Sequence, residues 1–72
     1  MSPYAQQQAR RLVALGYGST AQEILDGCDL GDALDVIQDS RACGDFETPR
    51  EAEETIADAC EAARALYGEV RS

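Results

Sequence analysis

Asp26, Asp29, Asp32 and Asp35 follow one another in steps of three along Asp26-Gly27-Cys28-Asp29-Leu30-Gly31-Asp32-Ala33-Leu34-Asp35-Val36-Ile37-Gln38-Asp39, and Asp39 closes the series. Carboxylates so close together could chelate a divalent cation, act as an acid–base pair, or attract a basic partner. A calcium loop of the EF-hand type needs oxygens at alternate positions and a bidentate Glu at the twelfth. A step of three suits a helix face, so no metal or cofactor is expected. Cys and Ser are present as nucleophiles, but the chain has no His and no Lys to activate them. A carboxyl pair would need a cleft, and 72 residues leave little room for one. No catalytic residue is assigned, and the chain is read as not an enzyme.

Cys28, Cys43 and Cys60 are odd in number and share no CxxC spacing. With no signal-like leader before them, they read as reduced thiols packed as small apolar residues, which implies a cytoplasmic protein.

The carboxylates have to be positioned by helices. No segment alternates like a strand, whereas helix start and stop signals recur. Ser2-Pro3 opens a first helix at about 3–16, with Tyr4, Ala5, Ala9, Leu12 and Val13 facing inward and Gly16-Tyr17-Gly18 ending it. Ser19 with Gln22 and Thr20 with Glu23 form overlapping capping boxes before a second helix at about 20–26, stopped by Gly27. A third helix at about 30–42 carries Leu30, Ala33, Leu34 and Ile37 on its core face, and Gly44 halts it. Thr48-Pro49-Arg50-Glu51 opens a long fourth helix at about 49–67, with Gly68 marking its end and 69–72 a loose tail. Phe46 is expected to fold back near Ala52. The expected fold class is therefore all-α: a compact bundle of three to four helices forming one domain over residues 1–72.

On these helices the acids fall into two rows. If Asp29 caps the third helix, Asp32, Asp35 and Asp39 share about 60° of its circumference at ~100° per residue. Glu51, Glu54, Asp58 and Glu61 form a second row on the fourth helix. If the two rows lie side by side they make one acidic surface.

The formal charge is −8, and it is concentrated in the middle of the chain. Residues 18–47 hold eight acids against Arg41, while residues 1–17 hold Arg10, Arg11 and no acid. Such a surface opposes phosphate and anionic lipid, so neither direct nucleic-acid nor membrane binding is expected. No apolar run approaches the ~20 residues of a membrane span. Twelve of the apolar residues are Ala, so the bulky core is small and a homodimer or a larger partner is compatible with it. The partner such a surface suits is a basic protein, above all one that binds nucleic acid. Arg10 and Arg11 are expected to pair within the chain.

Thr20 to Gln38 has the outline of a helix–turn–helix with Gly27 near the turn. Gly31, Asp32, Asp35, Val36 and Asp39 would then face DNA, and three carboxylates there oppose it. A small regulator using Arg10, Arg11 and Arg50 is the related alternative. Over residues 9–40 the chain also resembles a ubiquitin-associated (UBA) domain. Leu15-Gly16-Tyr17 looks like that family's Met-Gly-Phe/Tyr loop, and Leu30, Ala33, Leu34, Asp35 and Ile37 are similar to its third helix. That resemblance implies a protein-binding module with Gly16 and Tyr17 at the contact. The segment between Tyr17 and Leu30 is a few residues shorter than in typical members, and a long fourth helix follows.

In size, acidity and helical make-up the whole chain resembles small inhibitors of phages and mobile elements, of the anti-CRISPR and anti-restriction type. That resemblance implies a nucleic-acid mimic docking through Asp29, Asp32, Asp35 and Asp39 together with Glu51, Glu54, Asp58 and Glu61.

Overall fold

In the computed structural model, which describes residues 2–44 and 46–71 with the side chains of Ala42 and Cys43 excepted, the chain is all-α. The four helices are α1 (Pro3–Ala14), α2 (Gly18–Leu25), α3 (Leu30–Cys43) and α4 (Pro49–Arg71), with no strand among the described residues. At 1.5 Å per residue α4 is about 34 Å long, close to the 36 Å longest dimension of the molecule. It is the spine: α1, α2 and α3 each pack on it, and α2 also touches α1 and α3.

Local chemistry accounts for most boundaries. Ser2 Oγ accepts from the Ala5 N–H at 3.1 Å and caps α1, with Pro3 at the first helical position. The same hydroxyl donates to Glu69 Oε2 at 3.2 Å, tying the start of α1 to the end of α4. Thr48 Oγ1 accepts from the Glu51 N–H at 3.1 Å. Glu51 returns the favour one residue early, to the Glu47 N–H at 3.2 Å and not to Thr48.

Both α1 and α2 end in Schellman turns. The Tyr17 N–H reaches the Leu12 carbonyl and the Gly16 N–H reaches Val13; Cys28 to Glu23 and Gly27 to Ile24 repeat the pattern. Each turn needs one residue at positive φ, and Gly16 (95°) and Gly27 (98°) supply it.

Several expectations are corrected. Helix α1 stops at Ala14, two residues early, because the Schellman turn closes there. Helix α2 starts at Gly18, capped by Tyr17 without a side-chain hydrogen bond, so neither the Ser19 nor the Thr20 capping box forms. Tyr17 closes one helix and opens the next, leaving no linker in which a box could sit, and Thr20 is buried instead. Asp29 occupies the N-cap position of α3, yet its carboxylate makes no capping bond. Helix α4 continues through Gly68 to Arg71, one turn past the expected end, so 69–71 are helical and not a loose tail. Ser72 lies outside the described residues.

The core is built on short side chains. Leu12, Ile24, Ile37 and Leu66 are its large members, and Ala33, Ala59, Ala62 and Ala63 are fully buried among them. Leu15, Leu25, Leu30, Leu34, Ile56 and Tyr67 pack around this centre half-buried. Alanines on α4 let the neighbouring helices approach closely, which the sparse supply of bulky residues requires. The accessible surface of 4617 Å² is near the ~4,300 Å² expected of a folded monomer of this mass.

Val13, expected inward, is 60% exposed, and Gln8 takes its place at 8% exposed. Ala5, Gln8 and Leu12 form the buried face of α1, and Val13 lies roughly 100° around the helix from it at ~100° per residue. Phe46 lies over Gly44, where a Cβ would meet its ring, and it shares a shallow cavity with Ala52.

Gln8 Oε1 is buried without a hydrogen-bond partner, an arrangement that costs about 1–3 kcal/mol. Gln and Met have near-equal helix propensity and similar length. Gln8→Met is therefore expected to raise unfolding free energy by about 1 kcal/mol, read as a higher urea midpoint at unchanged m-value. A lower midpoint would mean that the amide is satisfied in solution.

Candidate interaction surface

The two acidic rows prove unlike in surroundings. On α4 every carboxylate of the row has an internal partner. Arg11 Nη2 of α1 lies 3.4 Å from Asp58 and 3.7 Å from Glu61. Arg50 lies 3.3 Å from Glu54 one turn away, and Glu51 holds the Glu47 N–H. The expected internal pairing of Arg11 is thus present. These groups are exposed, so each pair contributes at most about 1 kcal/mol. Their effect on the surface is larger, because Arg11 and Arg50 set two positive charges against the four carboxylates of this flank.

On α3, Asp32, Asp35 and Asp39 are exposed, and none of them has an ion pair or hydrogen bond to a described residue. Buried Ala33 and Ile37 lie roughly 150° around the helix from this row at ~100° per residue, so the three carboxylates project away from the core. Asp32 to Asp39 spans seven residues, about 10 Å along the axis. Val36 stands among them, 49% exposed. The helix–turn–helix outline puts it on this same outward face, about 40° from Asp32 at ~100° per residue.

The rows do not join. Arg41 of α3 pairs with Glu53 of α4 at 2.5 Å, whereas Arg11 of α1 pairs with Asp58 and Glu61. Glu53 and Asp58 are about 140° apart around α4 at ~100° per residue. Helices α1 and α3 therefore lie along opposite flanks, and the α4 row runs beside α1, away from α3. A single merged ridge is not what the fold builds.

The α3 field is felt by a neighbouring thiol. Cys28, half-buried just before α3, has its pKa pushed up by burial first, then by the charges of Glu23, Asp32 and Asp29. A carboxylate beside a thiol disfavours the thiolate, so removing one lowers the thiol pKa and speeds alkylation. Asp32→Asn is expected to accelerate iodoacetamide labelling of Cys28 near pH 8, and added salt is expected to do the same to the parent. Equal rates at low salt would show that the row exerts no field there. Cys60 is buried, which also raises its pKa, and provides the slow reference site. The Cys43 side chain lies outside the described residues.

Tyr17 stands where α1 turns into α2. Its ring is 9% exposed and belongs to the core, next to Leu12 and Ala21 in the same cluster. Ser40 Oγ gives its one proton to the Ile37 carbonyl at 2.6 Å. Tyr17 must then be the donor in its own 2.5 Å contact with Ser40. Of the Gly16–Tyr17 pair that the UBA-like spacing puts at a contact, Gly16 is exposed, whereas the aromatic faces inward and joins the α1–α2 turn to α3. Tyr17→Phe and Ser40→Ala should each cost about 1 kcal/mol, and the double variant less than their sum, as urea unfolding would show. Full additivity would mean that the two hydroxyls do not interact.

Among the described residues no group of His, Cys, Asp or Glu is arranged to hold a metal ion, and no helix is long and apolar enough to cross a membrane. Fold and surface together define a small four-helix protein whose α3 carboxylates Asp32, Asp35 and Asp39 have no ion-pair partner among the described residues. No family model, curated protein or solved structure matches the chain at a significant level.

Proposed function

We propose that this is a non-enzymatic interaction protein that docks the outer face of α3 on a basic protein surface built to hold nucleic acid. The reading is of an inhibitor by charge mimicry, comparable in kind to anti-CRISPR and anti-restriction proteins. One observation carries it: Asp32, Asp35 and Asp39 are exposed and have no partner among the described residues, while each carboxylate of the α4 row has one. Like charges at i, i+3 and i+7 on one helix face repel, and folding gains nothing from leaving them unmatched. Three carboxylates over about 10 Å can meet Arg or Lys side chains spaced for a phosphate backbone.

In this reading Asp29, Asp32, Asp35 and Asp39 make the contact, and Glu51, Glu54, Asp58 and Glu61, whose carboxylates have partners within the chain, add long-range field. Affinity capture from cells at low and at high salt is the test, followed by identification of the proteins lost at high salt. Basic nucleic-acid-binding proteins should be retained at low salt only. Capture that is indifferent to salt would overturn the proposal, as would a mobility shift of DNA by the protein alone.

A further inference from the structure

We draw no further inference here: the strongest candidate, the groove of about 290 Å³ where the start of α1 meets the ends of α2 and α4 (Ser2, Ala5, Leu25, Glu69, Val70), carries nothing because nothing in the structure shows what covers it.

Discussion

Leu66→Ala is expected to lower the unfolding free energy by about 3–5 kcal/mol, the upper part of the range for a buried Leu. Leu66 is fully buried on α4, within the cluster that contains Ala59, Ala62 and Ala63. The cost of such a deletion depends on how far neighbours can collapse into the space. Alanines have no side-chain torsion with which to do so, and their helices already pack closely. A chain of this length has roughly 4–11 kcal/mol in total, at 0.05–0.15 per residue. The variant is therefore expected to be largely unfolded in modest urea, by circular dichroism at 222 nm. Leu34→Ala, at a half-buried position on α3, should cost clearly less. Equal losses at the two sites would show that the core is not centred on α4.

The second large effect concerns binding. Replacing Asp32, Asp35 and Asp39 together by Asn should reduce affinity for the captured partner by about 10- to 1,000-fold, chiefly through slower association. It should also flatten the salt dependence. The fold should be nearly indifferent. Relief of the Asp32–Asp35 and Asp35–Asp39 repulsions returns about 0.2–0.5 kcal/mol per pair. Loss of Asp32 from the first turn of α3 gives back a similar amount through the helix dipole. A matched variant, Glu51, Glu54 and Glu61 to Gln, removes three charges from the other flank. It should leave affinity almost unchanged, although it disturbs a cap and two ion pairs. If the α4 variant weakens binding as much as the α3 variant, total charge is what matters and the assigned face is wrong. If neither does, the contact is apolar.

Much of the fold was legible because its signals are local. Ser2-Pro3, Thr48-Pro49 and the glycines at 16, 27 and 44 act through hydrogen bonds and dihedral angles within a few residues of themselves. The failures share one cause. The boxes at Ser19 and Thr20 satisfy every local rule, but the Schellman turn at Gly16 places Tyr17 as the N-cap before they can act. Val13 fits the apolar spacing of α1, yet its outward turn follows from which face of α1 packs on the bundle, the one carrying Ala5, Gln8 and Leu12. Tyr17 sits in a turn, where exposure is the usual expectation, and only the packing of α3 against α2 supplies its partner Ser40.

The acidic stretch around Asp32 divides along the same line. Sequence alone determined that Asp32, Asp35 and Asp39 share a helix face, because the α-helical repeat is a property of the backbone and needs no neighbours. It also determined that Glu51, Glu54, Asp58 and Glu61 align. The partners of Glu51 and Glu54 are local, whereas tertiary structure decided those of Asp58 and Glu61. Arg11 is forty-seven residues from Asp58 along the chain, and only the antiparallel packing of α1 on α4 brings them within 3.4 Å. Coulomb interactions depend on distance in space, so a count of charges along the chain could not tell the matched row from the free one.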